Sequence, residues 1–281
     1  MLSRRDFGGG LAAGAAMRRG GPGHPAPPPL PAKEPTLARI LRSKKLRVAG
    51  ITAEEPSFYK DPGSGRWSGF CPAMAQNLGA ALGVEIAVTE LGWADSVTGL
   101  HLGTIDLAYG PSPTAQRAMF ADYAMPLFHD TYAVIARKGF APKSWAEIDL
   151  PQTVVAVDEG SAREEGARRC AGNAALTGFK SREEALGAVQ SGRADCFIST
   201  VLLALAALKK DPQIGELVVP TPPLRVAVCP LVPYDDDRRF RGVVDAWTMD
   251  NSGTGEIRKW IMAALAKLGI EPSDLPSDIS I

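Results

Sequence analysis

Two segments of the chain share one pattern, and this repeat limits the folds that the sequence can adopt. Gly103-Thr-Ile-Asp106 and Gly192-Arg-Ala-Asp195 each place a glycine after a predicted helix and an aspartate three residues later. An apolar run follows each aspartate. A glycine ends a helix readily because it adopts the left-handed conformation, and a short apolar run after it is typical of a buried strand. The repeat therefore predicts two related α/β lobes.

Predicted strands and helices alternate over most of the chain. The strands cover residues 46–51, 84–89, 105–109, 153–157 and 196–199, and the helices cover 37–43, 73–82, 94–102, 181–191, 242–247 and 255–268. Further helix starts are predicted where a serine precedes a glutamate by three residues, at Ser144, Ser161 and Ser181. Strands that alternate with helices of this length predict βαβ units around parallel sheets, and hence an α/β fold class.

Charge and cysteine content exclude several kinds of partner. The 281 residues contain 31 lysines and arginines and 31 aspartates and glutamates. The first 32 residues hold four arginines and one aspartate, so the remainder carries a net charge of −3 and no basic patch predicts a nucleic-acid partner. The four cysteines show neither a C-x-x-C motif nor metal-ligand spacing. We expect mostly free thiols, no metal and no cofactor.

The N-terminal segment resembles a bacterial twin-arginine export signal. Ser3-Arg4-Arg5-Asp6-Phe7 precedes a weakly apolar run over residues 8–17, and a proline-rich stretch over residues 22–35 follows. Residues 1–32 are therefore interpreted as an export signal and linker, with an uncleaved tail as the alternative. No segment has about 18 continuous apolar residues, and no cysteine precedes Cys71. We expect a periplasmic location with neither a membrane span nor a lipid anchor.

The loop that ends at Arg117 is the first candidate for ligand binding. Thr114 is a suitable N-cap for a following helix, which would place Arg117 in the first turn, where the helix dipole disfavours a cation. An anion held between Arg117, the free amides and the hydroxyls of Ser112 and Thr114 would account for this arginine. A solvated arginine is the alternative interpretation.

Catalytic motifs are missing from the sequence. It contains no G-x-S-x-G, H-E-x-x-H or Walker A motif. Of the three histidines, His24 lies in the N-terminal segment and His101 is expected at the surface or in the core. His129 lies near a predicted crossover between lobes, where a role in a polar cleft is open. Binding, with no catalytic residue, is therefore the expected function.

Six segments in order resemble the amino-acid-type (family 3) solute-binding proteins of bacterial ABC importers, from residue 46 to the C-terminus. They are Leu46-Arg-Val-Ala-Gly50, Trp67-Ser-Gly-Phe70, Leu102-Gly-Thr-Ile-Asp-Leu-Ala108, Ser112-Pro-Thr-Ala-Gln-Arg117, Val155-Ala-Val-Asp-Glu-Gly-Ser161 and Ser191-Gly-Arg-Ala-Asp195. The resemblance implies two Rossmann-like lobes joined by crossover strands, the type II periplasmic-binding-protein fold. It implies a first lobe over residues 33–128 plus 226–281, and a second lobe over residues 129–225.

The resemblance also implies where a ligand binds. Arg117 would hold a ligand carboxylate with help from groups at Ser112 and Gly110, and the helix start at Ser161 and Ala162 would supply amides from the opposite lobe. The full set of candidate binding residues is Arg117, Ser112, Gly110, Thr114, Tyr109, Ser161, Ala162, Thr200, Glu55 and Phe58.

Two positions differ from the family pattern. Thr200 stands where an acidic residue usually binds the ligand ammonium, and Glu55 stands near the place of an aromatic that packs over the ligand. A shift of the alignment there lets Phe58 or Tyr59 supply the aromatic instead. Because a buried ammonium without a partner costs several kcal/mol, the ligand either lacks an amine or has its amine paired by Glu54 or Glu55.

The expected function is that of a monomeric periplasmic receptor that delivers a small carboxylate-bearing molecule to an inner-membrane ABC permease. Two alternatives stay open. One is a periplasmic dehydratase that acts on cyclohexadienyl acids in the same cleft, with Glu55, His129 and Asp158 as the acid–base candidates. The other is an accessory subunit that no longer transports, which a bond between Arg117 and a protein carboxylate would support.

Overall fold

The computed structural model describes residues 34–159 and 161–276. The predicted export signal over residues 1–32 lies outside these residues, as does Gly160 in the turn before Ser161. Within the described ranges, no helix combines the length and the apolar character that a membrane crossing needs.

Most helices lie where the sequence predicts them, but α7 was not predicted and α8 is longer than predicted. They are α1 (Thr36–Ser43), α2 (Phe70–Leu82), α3 (Trp93–Leu102), α4 (Trp145–Ile148), α5 (Ala162–Cys170), α6 (Arg182–Gln190), α7 (Val201–Lys210), α8 (Arg239–Gly253) and α9 (Glu256–Lys267). Ser144, Ser161 and Ser181 each accept a hydrogen bond from the backbone N–H of the glutamate three residues later. The predicted N-caps of α4, α5 and α6 are therefore confirmed.

The strands fall into two sets separated by a pair of crossovers. They are β1 (Lys45–Gly50), β2 (Tyr59–Lys60), β3 (Trp67–Ser68), β4 (Glu85–Glu90), β5 (Ala108–Tyr109), β6 (Ala121–Tyr123), β7 (Phe128–Ala136), β8 (Val154–Asp158), β9 (Ala175–Phe179), β10 (Cys196–Thr200), β11 (Glu216–Val218), β12 (Arg225–Val228) and β13 (Pro230–Pro233). We refer to β1–β6 and β13 with α1–α3, α8 and α9 as the first lobe, and to β7–β12 with α4–α7 as the second lobe.

The first lobe is built on short sheets covered by helices. Strands β1 and β4 run parallel, and Val48 of β1 also bridges Leu107. Strand β13 lies antiparallel between β5 and β6. Met74 and Leu78 of α2 and Ile261 of α9 belong to the buried core of this lobe.

The second lobe contains a mixed sheet in the order β11-β7-β10-β8-β9, and β12 also pairs with β7. Strands β10, β8 and β9 run parallel, whereas β7 is antiparallel to β10. Every residue of β10 is buried, because α5 covers one face of the sheet and α6 and α7 cover the other.

Strands β7 and β12 connect the two lobes. They pair antiparallel from Phe128–Val228 to Thr131–Arg225. Strand β7 continues into the second-lobe sheet beside β10, and β12 is followed directly by β13 of the first lobe. This is the α/β fold with two lobes and crossover strands that the sequence predicts.

The repeated Gly-x-x-Asp unit performs the same structural task in both lobes. Gly103 and Gly192 have φ angles of 71° and 74°, in the left-handed region that glycine tolerates. Asp106 accepts a backbone N–H of β1 at 2.9 Å, and Asp195 accepts the first backbone N–H of β8 at 2.8 Å. Each aspartate also pairs with an arginine. The unit therefore ties the chain after a helix to a neighbouring parallel strand.

Two predicted elements in the binding loop are wrong in extent. The strand predicted over residues 105–109 is reduced to β5, because the N–H groups of Asp106 and Leu107 both donate to the carbonyl of Arg47 and interrupt the ladder. The helix predicted after Thr114 is a three-residue 3-10 turn, Arg117–Met119, since β6 already begins at Ala121 to pair with β13. So short a turn has no sizeable dipole.

Candidate functional site

A small cavity lies between the lobes beside the crossover strands. Its volume is about 60 Å³, and residues of both lobes line it. Gly110 and Ser112 belong to the first lobe, Arg163 and Thr200 belong to the second, and Asp130 lies on β7. We call it the inner cavity. Because ligand cavities usually measure roughly 300–1,000 Å³, it can hold a headgroup, but not a whole solute, while the lobes are this close.

A larger space, the outer cleft, lies next to the inner cavity. Its volume is about 630 Å³, and Glu54 and Trp93 line both spaces. Trp93 donates its ring N–H to Glu54 Oε1 at 3.0 Å. The charged side chains that line the outer cleft are Glu54, Glu90, Asp95, Asp158, Glu159, Glu183, Lys180 and Arg182. Acidic groups outnumber basic ones, so the cleft carries a negative potential.

Four charged side chains from both lobes meet between the two spaces: Glu54, Asp158, Arg163 and Arg182, here called the ionic cluster. Arg182 Nη2 lies 2.6 Å from Glu54 Oε1, and Arg163 Nη2 lies 2.5 Å from Asp158 Oδ2. Arg163 also lies 3.6 Å from Glu54. Arg182 donates a further hydrogen bond to the carbonyl of Ala53 at 2.8 Å. These contacts join the lobes directly.

Burial and charge pairing act in opposite directions in the ionic cluster. Burial raises the pKa of Asp158, but the charges of Arg163 and Arg182 and a hydrogen bond from Arg163 outweigh it, so this pKa lies below its usual value. Burial lowers the pKa of Arg163, but Glu54 and Asp158 outweigh it, so this pKa lies above its usual value. Asp158 and Arg163 are therefore fully charged near neutral pH.

Asp130 is the carboxylate that the ionic cluster leaves out. Its side chain is 4% exposed, and it accepts hydrogen bonds from the backbone N–H of Thr131 at 2.7 Å, from the side chain of Thr200 and from the backbone N–H of Leu202. Burial raises its pKa to about 6 in spite of these bonds and of the charge on Arg163. Asp130 is thus a carboxyl group that changes charge close to neutral pH.

The loop that carries Arg117 holds the predicted anion-binding groups together. The Arg117 backbone N–H donates to the hydroxyl of Thr114 at 3.2 Å, although the 3-10 turn itself begins only at Arg117. The Arg117 guanidinium and the Tyr123 hydroxyl both donate to the carbonyl of Ser112, at 3.1 and 2.9 Å. Arg117 is half-buried, but neither Arg117 nor Thr114 is among the residues that line the inner cavity or the outer cleft; Ser112, to which Arg117 donates, lines the inner cavity. Its position is fixed by the loop itself.

The start of α5 is placed at the cleft, although the hydroxyl of Ser161 is already occupied. It donates to Asp158 at 2.9 Å and accepts from the backbone of Glu164 at 3.2 Å. Ser161 lines the outer cleft, and Arg163, two residues on, lines the inner cavity. Ala162 is the first residue of α5. The Ser161 N–H donates to the Asp158 carbonyl at 3.2 Å, whereas binding by the Ala162 N–H stays a prediction; the second lobe adds the side chain of Arg163 here.

Three further predicted site residues lie away from both spaces. Tyr109 is fully buried near Trp247, and Phe58 is 2% exposed and packs edge-on against Trp67, so the structure places both in the core of the first lobe. Glu55 lines a separate space of about 290 Å³ beside α6 and α7. Tyr109 and Phe58 lie in the core because burying an aromatic ring there is more favourable than leaving it at a polar cleft. Thr200, Gly110 and Ser112 do meet at the inner cavity.

The acid–base candidates named from the sequence are not poised for proton transfer. His129 is exposed on β7, although its neighbours Phe128 and Asp130 are buried. Asp158 is held in ion pairs.

In the described part of the chain no cluster of histidine, cysteine and acidic side chains is arranged to hold a metal ion. All four cysteines are unpaired, as expected.

Four residues of the site were missed, and two of them carried a signal. Arg163 and Arg182 stand in the first turns of α5 and α6, where a helix dipole disfavours a cation, so the argument applied to Arg117 applied to them as well. No sequence pattern distinguished Asp130, since residues on both faces of β7 are buried. Trp93, at the start of α3, supplies the aromatic at the cleft, and no sequence pattern marked it.

Comparisons with known proteins agree on one family. Residues 46–268 match the family model described as bacterial extracellular solute-binding proteins, family 3. No curated protein sequence gives a significant match.

Several solved structures resemble the fold. An ancestral amino acid-binding protein, described as a precursor of cyclohexadienyl dehydratase, has 23% identity and a TM-score of 0.72, and the match covers 84% of this chain and 99% of that one. An amino acid ABC transporter substrate-binding protein from Streptococcus pneumoniae bound to L-arginine has 21% identity and a TM-score of 0.72. That match covers 83% of this chain and 99% of the other. An ancestral cyclohexadienyl dehydratase has 28% identity and a TM-score of 0.52, and the match covers 83% of this chain and 98% of that one.

Proposed function

Because the chain belongs to family 3 of the bacterial extracellular solute-binding proteins, we propose that it encloses a small carboxylate-bearing solute between its lobes and delivers it to an ABC permease. The solute is an amino acid or a related organic acid. The observation that carries this proposal is the inner cavity, which residues of both lobes and of the crossover strands β7 and β12 line.

The groups proposed to bind the carboxylate are two arginines, one on the loop beside Ser112 and one at the start of α5. Arg117 has guanidinium N–H groups beyond the one that it donates to Ser112, and Arg163 lines the inner cavity from the start of α5. A planar guanidinium matches a carboxylate with two parallel hydrogen bonds. Since the solute contacts both lobes only when they are closed, its binding shifts the population toward the closed form.

A thermal-shift screen tests the proposal, because a ligand that binds only the folded state raises the melting temperature. The panel contains amino acids and carboxylates without an amine, and the variants are Arg117→Ala and, as a matched control, Arg193→Ala, whose side chain is exposed outside the cleft. We expect at least one carboxylate to stabilise the wild type and the control but not Arg117→Ala. Equal shifts in all three proteins, or none in any, would contradict the proposal.

We also propose that the chain works as a monomer in the periplasm after export by the twin-arginine route. Arg4 and Arg5 would carry that export. Replacing both by lysine is expected to leave the protein in the cytoplasm, which cell fractionation measures; unchanged periplasmic yield would contradict this route.

A dehydratase of the cyclohexadienyl type is the second candidate function. The observation in its favour is Asp130, a buried carboxyl group with a pKa of about 6 in the cavity that Arg163 also lines. Such a group can give or take a proton near neutral pH. Incubation of the purified protein with prephenate or arogenate tests this function, and turnover that Asp130→Asn abolishes would favour the enzyme.

The third possibility, a non-transport accessory protein, gains no support, because Arg117 donates to a backbone carbonyl rather than to a carboxylate of the described residues.

A further inference from the structure

The inner cavity contains one carboxylate, Asp130, that forms no ion pair with the described residues; the charge of Arg163 acts on it only from beyond ion-pair distance. The ion pairs at the cleft join Glu54 and Asp158 to Arg163 and Arg182, and among the described side chains none joins Asp130. Two acids and two bases thus balance in the ionic cluster. Asp130 is left as the surplus negative group of the cavity.

The hydrogen bonds of Asp130 come from neutral donors. The backbone N–H groups of Thr131 and Leu202 and the side chain of Thr200 occupy three of roughly four acceptor positions that a carboxylate offers. Neutral donors stabilise a buried anion less than a charged donor does. An ionised carboxylate in such a place costs several kcal/mol unless a cation joins it.

The surroundings of Asp130 suit the amine of a solute. Phe70, Phe128, Val226 and Val228 supply apolar walls, and a space of about 60 Å³ takes a primary ammonium group with its first carbon. The acidic lining of the outer cleft raises the local concentration of a cationic group. Neither Glu54, which Arg182 holds, nor Glu55, which lines another space, is free for this task.

We infer that Asp130 is the acceptor for a solute amine, and that it replaces from the crossover strand β7 the acidic group missing at Thr200. Thr200 then acts as a positioning residue, since its side chain donates to the Asp130 carboxylate. This inference rests on the proposed function and narrows its substrate class to solutes that carry a carboxylate and an amine.

Matched ligand pairs test the inference by isothermal titration calorimetry. The pairs are L-glutamate with glutarate, L-leucine with 4-methylpentanoate, and L-arginine with 5-guanidinopentanoate, which differ only in the α-amine. The variants are Asp130→Asn and Asp195→Asn. Asp195 is the matched control, because it also accepts a backbone N–H but lies outside the cleft, beside Arg137.

We expect the wild type and Asp195→Asn to bind the amine-bearing member of at least one pair more than tenfold tighter than its partner. Asp130→Asn is expected to lose that preference while its affinity for the partner without an amine changes less than twofold. Equal losses for both members would show that Asp130 only supports the fold, and this would overturn the inference. Binding of amine-free acids alone would overturn it too, and leave the proposed function intact. If no pair binds, the proposed function fails with it.

A measurement on the wild type keeps the test open if Asp130→Asn does not fold. Between pH 8 and pH 5 the preference for the amine is expected to fall about tenfold, because Asp130, with a pKa of about 6, becomes protonated. The other charged or titratable groups lining the cavity are Glu54, Cys71 and Arg163. Arg163 stays charged, burial raises the pKa of the Cys71 thiol well above this range, and Arg182 holds Glu54. A preference that does not change with pH would overturn the inference.

Discussion

Glu54 of the first lobe and Arg182 of the second are joined across the cleft by an ion pair, with 2.6 Å between Oε1 and Nη2. Both side chains are largely buried, at 7% and 13% exposure. The chain thus uses its own charges to hold the lobes together where a solute would enter. A solute must displace or rearrange these contacts, so the strength of the pair sets how easily the cleft admits one.

The first prediction concerns the strength of this pair. A double-mutant cycle with Glu54→Gln and Arg182→Leu is expected to give a coupling energy of about 1–3 kcal/mol in urea unfolding, because the pair is shielded from water. The control is the pair Glu164–Arg168 on the surface of α5, for which we expect a coupling energy of only about 0.3–0.5 kcal/mol. A coupling energy no larger than that of the control would contradict a strong contact between the lobes.

The second prediction concerns pH. Because burial raises the pKa of Asp130 from 3.8 to about 6, the folded state binds its proton more tightly than the unfolded state does. The free energy of unfolding contributed by Asp130 is therefore highest below about pH 4 and falls as the pH rises through 6, by on the order of 3 kcal/mol in total. The pKa of Asp158 is lowered, so Asp158 acts in the opposite direction.

Urea unfolding of the wild type and of Asp130→Asn at pH 4, 6 and 8 isolates this effect, since the contribution of Asp158 is common to both proteins and cancels. The variant is expected to gain stability relative to the wild type as the pH rises. If the free energies of unfolding of the two proteins differ by the same amount at all three pH values, the pKa of Asp130 is not raised.

The third prediction concerns Gly110. Its φ angle is 96°, and a Cβ there would lie 3.1 Å from the ring of Trp93. Gly110→Ala is therefore expected to lower the free energy of unfolding by about 1–3 kcal/mol through backbone strain, and to shift Trp93, which changes tryptophan fluorescence. Gly139→Ala is the control, because Gly139 has a similar φ of 83° but no atom near the added Cβ. The control should lose stability without the fluorescence change; the same change in both would argue against contact with Trp93.

The fourth prediction compares the two aspartates of the repeated unit. The side chain of Asp106 is 1% exposed and pairs with Arg39 and Arg47, whereas that of Asp195 is 19% exposed and pairs with Arg137. Chemical unfolding of Asp106→Ala is expected to show a loss of about 3 kcal/mol or more, and that of Asp195→Ala about 1 kcal/mol, because water screens the second site. The reverse order would show that exposure does not govern these pairs.

Local sequence patterns predicted much of the fold, because local rules fix its elements. Serine caps, helix-ending glycines and apolar runs act within a few residues, and the predicted starts of α4, α5 and α6 are confirmed. The family and its lobed architecture are confirmed too. The helix after Thr114 was wrong because its length is set by the pairing of β6 with a strand more than 100 residues away.

Less of the candidate site than of the fold could be predicted from the sequence. Gly110, Ser112 and Thr200 meet at the inner cavity as expected, since each follows a predicted strand. Tyr109 and Phe58 could not be separated from site residues, because an aromatic ring at a strand end is compatible with a core position or with a cleft. Pairing between Glu54 and Arg182, 128 residues apart, depends on how the lobes meet, and no local pattern encodes it.

Helix α7 starts at the cleft, and its Leu202 and Ala206 belong to the same buried cluster as the core of the first lobe. Opening the lobes therefore exposes hydrocarbon to water, and hydration of hydrocarbon increases the heat capacity. At low temperature, warming strengthens this hydrophobic contact; at higher temperature, warming destabilises the whole fold. The equilibrium between open and closed forms thus acquires a temperature dependence even in the absence of a ligand.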